Sequence, residues 1–413
     1  MRVKLTILIT AIAAMLCGCM KEPDRSAYPK EEFVMVYYCA GFNNLASDIK
    51  HNLDVLKGGN IPFKNSKHIL LTFTHFSRSD TNFTDLTESH LVRITKDFGK
   101  VETDTLLTID KTRFASDPDV VHEVLAKVGQ LYPNAHYGLV VSSHGTGWLP
   151  AGKYSSSNVI QFSGKKRPAE LPLYRYNESG PRVKTFGAEV EMVNGQKISR
   201  EMTIQDMAAA IPIHLDYLLF DACLMGGIEV AYEFKDVADK VAFSPTEVLV
   251  DGFDYSDVST LISDTPDIEA FCKKYFDYYD SGPGDRAATI TVVKTDGLDA
   301  LATVSKQLFS TYRTAIYSLS TFSNVQRYYR ADHHWFFDFR DIFVKAQASG
   351  DDLSSLDAAL NACISYKAAT PSFLGITINS FSGLSMYLPG VGDAQLNEFY
   401  KTLAWNKATN LVE

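Results

Sequence analysis

The sequence predicts an α/β fold, in which a mostly parallel β-sheet carries helices on its faces. Apolar runs with the length of buried strands alternate with amphipathic helical segments. Hydrophobic residues make up 46% of the 413 positions, which is enough for a large core. The charged fraction of 22% argues against disorder. The net charge of −9, without a long basic run, argues against a nucleic-acid partner.

A strand, a helix and a second strand open the predicted domain. FVMVYYCA (33–40) and KHILLTFTH (67–75) are continuous apolar runs, as expected of strands buried on both faces. Between them, leucine and isoleucine residues form one helical stripe that Gly58 and Gly59 end. This order implies a parallel pair of strands joined by a right-handed crossover.

A hairpin, a helix and a third buried strand follow. The hairpin spans 90–107 and turns near Gly99. Asp117 is the expected N-cap of the helix and Pro118 its first residue. The strand HYGLVVSS then ends at His144.

A long excursion over 149–200 interrupts this alternation. It is rich in Gly, Pro, Ser and basic residues, and long loops in compact domains are usually functional or mobile. Its last part, 190–199, is predicted to form a hairpin that turns at Asn194 and Gly195.

The second half of the chain returns to alternating strands and helices. A helix over 203–211, capped by Thr203, leads into the strand LDYLLF, which is followed by Cys223. Further predicted elements are a helix after Cys223, a strand at 240–245, helices near 267–280 and 296–314, a strand at 287–294, and helices near 353–366 and 394–408.

The N-terminus predicts export. Arg2 and Lys4 precede an apolar segment, residues 5–16, that is too short to span a bilayer. The following Leu-Cys-Gly-Cys resembles the bacterial lipobox, which makes Cys19 the expected lipidation site. The alternative is an ordinary secretory signal with a chance cysteine. We therefore expect an exported lipoprotein whose acyl chains hold it at the outer membrane or cell surface.

His144 and Cys223 form the candidate catalytic pair. Each follows an apolar strand, and reactive groups collect at the carboxyl edge of parallel strands. A histidine can take the proton of a thiol whose ordinary pKa is about 8.5. The amides of Gly145 and Cys223 could hold an oxyanion, each contributing roughly 3 kcal/mol. Taken singly, a cysteine at the end of a strand is more often a core residue, and a His-Gly pair is common in turns. Cys39, Cys272 and Cys363 are expected to be core residues.

Five blocks of sequence together resemble the clostripain family of cysteine peptidases. They are YYCAGFNNLASDI (37–49), SSHGTGW (142–148), FDACLMGGIEVAYEFKDVADKV (220–241), SPTEVLVDGFDY (244–255) and FSGLSMYLP (381–389). The resemblance implies a caspase-like α/β/α sandwich with a central, mostly parallel sheet. It also implies an endopeptidase with His144 as base and Cys223 as nucleophile, cutting after Arg or Lys.

The resemblance also implies an acidic first specificity pocket. Asp221 matches one acidic position, although its carboxylate could instead bond local backbone amides. Asp251 is the candidate for the second, and Asp254 and Glu247 compete with it. The resemblance further implies self-processing, because family members often cut themselves after a basic residue in this segment. The alternative is that the basic residues of the excursion only line a solvated loop and have no role in processing. The available ones are Lys165, Lys166, Arg167, Arg175, Arg182 and Lys184.

These inferences divide the chain as follows: 1–18 signal peptide, 19–32 tether, 33–295 caspase-like catalytic domain with the excursion, and 296–413 α/β extension packed on the same domain. The expected partners are a peptide or protein substrate and, through the lipid anchor, a membrane. We expect a monomer without a cofactor; a structural calcium is compatible with the family, but no ligands can be assigned. The alternatives are a non-catalytic surface binding protein that kept the fold, or another thiol acyl transferase.

Overall fold

The structure, a computed structural model, describes residues 33–153, 158–161, 189–282, 286–330 and 334–413. The predicted signal peptide, tether and lipidation site Cys19 lie outside these residues. The strands are β1 (Phe33–Gly41), β2 (His68–Phe76), β3 (Ser89–Asp97), β4 (Lys100–Ile109), β5 (His136–Ser142), β6 (Asn158–Gln161), β7 (Glu189–Val193), β8 (Gln196–Glu201), β9 (Tyr217–Asp221), β10 (Lys240–Phe243), β11 (Thr289–Lys294), β12 (Phe337–Asp338), β13 (Ile364–Ala369), β14 (Ser372–Phe373), β15 (Ile376–Thr377) and β16 (Ser385–Met386).

Helices cover the sheet. They are α1 (Ala46–Gly58), α2 (Pro118–Leu131), α3 (Ile204–Ala210), α4 (Ile228–Glu233), α5 (Ile268–Ser281), α6 (Leu298–Ser318), α7 (Phe339–Lys345), α8 (Gly350–Cys363), α9 (Ala394–Tyr400) and α10 (Ala404–Thr409). Every residue of β1 is buried, so both faces of the sheet are covered at its centre. None of the helices in the described ranges is long and apolar enough to cross a membrane.

One nine-stranded sheet organises the described residues, in the order β13-β11-β10-β9-β5-β1-β2-β3-β4. The five strands from β10 to β2 run parallel, which aligns their carboxyl ends along one edge. Antiparallel strands extend the sheet on both sides. The predicted α/β class with a mostly parallel sheet is therefore confirmed.

Both predicted hairpin turns are present. The first turns at Phe98 and Gly99, with φ angles of 50° and 79°. The second turns at Asn194 and Gly195, with φ angles of 51° and 78°. Two consecutive residues with positive φ form the tight turn that matches the twist of paired strands, and Asn-Gly adopts it at little cost.

One sequence prediction was confirmed in position but not in its side-chain contact, and two others were wrong in detail. Asp117 stands at the N-cap position of α2, but its carboxylate turns back and accepts a hydrogen bond from Phe114 N at 2.9 Å. The predicted helix near 353–366 ends at Cys363, and the following residues form the edge strand β13. The single predicted helix near 394–408 is two short helices, α9 and α10.

A buried carboxylate ties the C-terminal part of the chain to α4. Glu229 Oε1 accepts hydrogen bonds from Tyr387 N and Tyr400 Oη, each at 2.8 Å. Glu229 is fully buried, and burial raises the pKa of its carboxyl to about 7, although the hydrogen bonds oppose the shift. The chain after residue 296 therefore packs directly behind the helix that follows Cys223.

Ion pairs anchor the chain within the excursion, on both sides of residues 154–188. On one side, Lys153 Nζ lies 2.6 Å from Asp393 Oδ2. On the other, Glu189 Oε1 lies 2.5 Å from His75 Nδ1, and both side chains are fully buried. Ser116 N donates to the second oxygen of Glu189 at 2.8 Å. The six basic residues proposed for self-processing lie between these anchors, outside the described residues.

Candidate active site

The strands that end before His144 and Cys223 are neighbours, as predicted. β5 and β9 run parallel, and Ser142 is the register partner of Asp221. His144 and Cys223 each lie two residues beyond that pair. Both therefore leave the sheet at its carboxyl edge, at equivalent positions.

The loop after His144 packs directly against the cysteine. A Cβ built on Gly145 would lie 2.4 Å from the backbone oxygen of Cys223 and 3.0 Å from Cβ of Ala222. Ordinary contacts of a Cβ atom are 3.4–4 Å, so only glycine fits here without a shift of the backbone. Gly145 thereby lets the two loops approach each other.

Asn44 contacts the candidate base. Its Oδ1 lies 2.8 Å from Nε2 of His144. An amide oxygen can only accept a hydrogen bond, so Nε2 of His144 is the donor in this contact. The neighbouring Asn43 fixes this turn by donating to Ala40 O at 3.1 Å and accepting from Leu45 N at 2.9 Å. Sequence analysis assigned no role to Asn44, although it lies in one of the five quoted blocks.

A strained turn follows the candidate nucleophile. Leu224, directly after Cys223, has a φ of +61°, which is unusual for a residue with a branched side chain. Its N–H donates to Thr246 O at 2.8 Å, and Gly226 N donates to Ser244 O at the same distance. The turn is thus hydrogen-bonded to the loop that follows β10.

The thiol of Cys223 is enclosed in this structure. The residue has no exposed surface, and Val248 N–H donates to Sγ at 3.1 Å. Sγ also lies 3.7 Å from Val248 O. The peptide group of Val248 therefore occupies the space next to the sulfur.

Asp221 lies inside the sheet edge beside Cys223. It is fully buried, and its Oδ2 accepts hydrogen bonds from Ser142 Oγ and Tyr255 Oη, both at 3.1 Å. These partners are side-chain hydroxyls. They hold one carboxylate oxygen in a fixed orientation at the base of the site.

Asp221 and Asp251 surround the same tyrosine. Tyr279 on α5 donates to Gly252 O at 2.9 Å, next to the exposed Asp251. Burial raises the pKa of Tyr279, and the negative charges of Asp251 and Asp221 raise it further. Burial also raises the pKa of the neighbouring Tyr275, to which Asp221 and Cys223 contribute. Asp221 therefore acts electrostatically on both tyrosines, and Asp251 acts on Tyr279.

The other two acidic candidates have different surroundings. Asp254 is exposed, and its carboxylate accepts a hydrogen bond from Ser256 N at 2.9 Å. Glu247 is fully buried and forms an ion pair with Arg330, with 3.0 Å between Oε2 and Nε.

A cavity lies beneath the loop that follows His144. It has a volume of about 110 Å³ and mainly apolar walls, which include Tyr38, Leu139, Phe220 and Met207. Side chains alternate along a strand, so Phe220 and Asp221 point to opposite faces of the sheet. The cavity therefore lies on the face away from Asp221.

Comparisons with known proteins agree with this geometry. A family model described as "Clostripain family" matches residues 191–408, more than half of the chain. The chain belongs to the clostripain family. It is therefore a cysteine peptidase by family and fold. No curated protein sequence matches it.

Solved structures of the clostripain family cover nearly the whole chain. An inactive zymogen C11 protease from Parabacteroides distasonis is 27% identical, with a TM-score of 0.73 over 92% of this chain and 99% of that one. A secreted C11 cysteine protease from Bacteroides thetaiotaomicron, iotapain, is 24% identical, with a TM-score of 0.71 over the same shares. A C11 cysteine protease of that organism in complex with an irreversible peptide inhibitor is 21% identical, with a TM-score of 0.69 over the same shares. The last two support the fold alone.

Among the residues that the structure describes, no three His, Cys, Asp or Glu side chains are placed to hold a metal ion. The groups that the described residues bring to this edge of the sheet include the thiol of Cys223, the imidazole of His144 and the carboxylate of Asp221.

Proposed function

We propose that this chain is a lipid-anchored cysteine endopeptidase that cuts peptide bonds after Arg or Lys through a Cys223–His144 dyad. The observation that carries the proposal is the matched position of His144 and Cys223, each two residues past the register pair of adjacent parallel strands. A peptide or protein is the substrate, and the lipid on Cys19 is the membrane anchor.

In the proposed reaction, His144 removes the proton of the Cys223 thiol, and the thiolate attacks the carbonyl carbon of the scissile bond. The amides of Gly145 and Cys223 donate hydrogen bonds to the resulting oxyanion. The imidazolium returns its proton to the leaving amine, and a thioester remains. Water then attacks the thioester, with His144 as base, and releases the acid and the free thiol.

A basic side chain before the cut would lie between the two aspartates. Asp221 is held rigidly at the base and Asp251 is exposed at the rim, and both act on Tyr279. A guanidinium or ammonium group suits such a pair, because buried charge-assisted hydrogen bonds are strong and directional.

The enclosed thiol requires an opening step. While Val248 N–H contacts Sγ, no carbonyl carbon can reach the sulfur. The loop over Cys223 must therefore move before the first attack. Cleavage of the excursion after a basic residue is a trigger that fits this requirement.

A fluorogenic peptide library varied at the residue before the cut tests the proposal. We expect cleavage after Arg or Lys, by the chain as expressed or after limited trypsin treatment of the excursion, and none by Cys223→Ala. Dyad-dependent cleavage after other residues would keep the mechanism and reject the acidic pocket. Absence of cleavage before and after nicking would favour a binding protein that kept the fold.

Mass spectrometry of the membrane-extracted protein tests the anchor. We expect a mature N-terminus at Cys19 that carries acyl chains. A chain that begins at Cys19 without added lipid mass, or at another residue, would contradict this part of the proposal.

A further inference from the structure

The loop that encloses the nucleophile is residues 244–250, which we call the covering loop. Its contact with the sulfur is made by backbone atoms of Val248, so it does not depend on the identity of that side chain. Val248 is itself buried in the core, and the neighbouring residues of the loop add further contacts that hold its peptide group.

The start of the covering loop is fixed by hydroxyl groups. Ser244, Thr246 and Thr289 form a buried cluster, in which Thr289 Oγ1 lies 2.8 Å from the hydroxyl of each of the other two. The backbone contacts of Ser244 and Thr246 to the turn after Cys223 add to it. The cluster also reaches the peptide bond between Glu247 and Val248, because Glu247 O accepts hydrogen bonds from Thr246 Oγ1 at 3.1 Å and from Ser244 Oγ at 3.5 Å.

Glu247 is the next anchor, and Arg330 is the cation that pairs with its carboxylate. Arg330 Nη2 donates a hydrogen bond to Oε1 at 3.3 Å, and Nε lies 3.0 Å from Oε2, so the ion pair is a two-point contact in which one of the two contacts is a hydrogen bond. The carboxylate side chain has no exposed surface, and that of Arg330 is 22% exposed. Burial raises the pKa of Glu247 to about 7, and Arg330 opposes the shift. A carboxylate so buried is costly to leave without its cation.

Arg330 reaches the covering loop from a distant part of the sequence. It lies between α6 and β12, in a segment that Gln326 attaches to the body of the protein by hydrogen bonds of 2.8 Å to Asp341 and Asp338. The ion pair thus joins the residue next to Val248 to a fixed part of the C-terminal half.

We propose that Glu247 and Arg330 are positioning residues, whose ion pair holds the Val248 peptide group against Cys223 and thereby sets how often the thiol is uncovered. This inference rests on the proposed role of Cys223 as nucleophile. Loss of the pair frees Glu247 to turn toward water, and Val248 moves with it.

Iodoacetamide alkylation tests the proposal. The native full chain is alkylated for increasing times, and peptide mass spectrometry then gives the rate at each cysteine. Cys39, Cys272 and Cys363 are also buried thiols, so their rates report global unfolding. Arg330→Met is expected to raise the rate at Cys223 by about tenfold or more and to leave those three unchanged. Arg330→Lys, which keeps the charge but not the two-point contact, is expected to lie between Met and wild type.

Two further variants make the result specific. Arg340→Met removes a comparable pair with Asp357, with contacts of 2.5 and 2.8 Å, and should leave the rate at Cys223 unchanged. Glu247→Gln avoids an isolated buried charge and should still raise it. An unchanged rate at Cys223 in Arg330→Met and Glu247→Gln would overturn the proposal. So would a rise shared equally by all four buried cysteines, because the pair would then support only the fold.

Alkylation does not require peptide turnover, so the two proposals can fail separately. A chain that shows the expected rates but cuts no peptide would keep the positioning role and reject the endopeptidase. A chain that cuts peptides with unchanged alkylation rates would do the reverse.

Discussion

Substitution of Gly145 by alanine tests the contact between the two catalytic loops. The added Cβ would lie 2.4 Å from the backbone oxygen of Cys223, where an ordinary contact needs at least 3.4 Å. One loop must therefore move by about 1 Å, and a displacement of that size at a reacting centre can cost about 100-fold in rate. Overpacking of this kind destabilises a fold by about 1–3 kcal/mol.

The assay has two parts and a matched control. Urea denaturation gives the free energy of unfolding, and hydrolysis of a basic fluorogenic peptide by the nicked enzyme gives kcat/KM. Gly58→Ala is the control, because a Cβ there meets nothing within 4 Å, and we expect its stability to change by less than about 0.5 kcal/mol. If Gly145→Ala matched this control in stability, the steric argument would be refuted.

Three further predictions concern orientation, pH and assembly. Asn44→Ala should lower kcat about tenfold with little change in KM, because His144 loses the acceptor that orients it; steady-state kinetics showing only a KM effect would contradict this. Burial raises the pKa of Glu229 from 4.5 to about 7, so its contribution to stability is full below pH 4.5 and is lost as the pH rises through 7. Urea denaturation at pH 5 and 8 should show a loss of up to about 3 kcal/mol that shrinks in Glu229→Gln; equal losses in both proteins would refute the assignment. Trypsin cleavage within 162–188 should leave two fragments that co-elute in size-exclusion chromatography until denaturant is added, because ion pairs anchor both sides; separation in native buffer would contradict it.

The sheet could be predicted because its central strands are buried on both faces. Such strands appear as continuous apolar runs, as in 33–40, and their order with helices implies parallel pairing. The adjacency of the strands before His144 and Cys223 followed from the same reasoning. The edge strand β13 was missed, because no Gly or Pro separates Ile364 from the helix that ends at Cys363. The first residues of the strand were therefore assigned to the helix.

The candidate site was predictable only for residues whose chemistry is local. A histidine and a cysteine after apolar strands can be found by position along the chain. Asn44 lies 100 residues before His144, and Arg330 lies 83 residues after Glu247. Such partners are set by tertiary packing, and neither periodicity nor spacing indicates them. Backbone atoms of Val248 enclose the thiol, and every residue type carries the same backbone atoms, so the sequence does not indicate this contact.

The central claim is that Cys223 is the nucleophile and His144 its base. Labelling with an irreversible peptide electrophile that ends in Arg or Lys tests this claim most directly. Mass spectrometry of the nicked protein identifies the labelled residue. The account predicts a single adduct on Cys223, which is abolished in His144→Ala and slowed in Asp251→Asn. Labelling of another cysteine, or labelling of Cys223 at the same rate in His144→Ala, would contradict it.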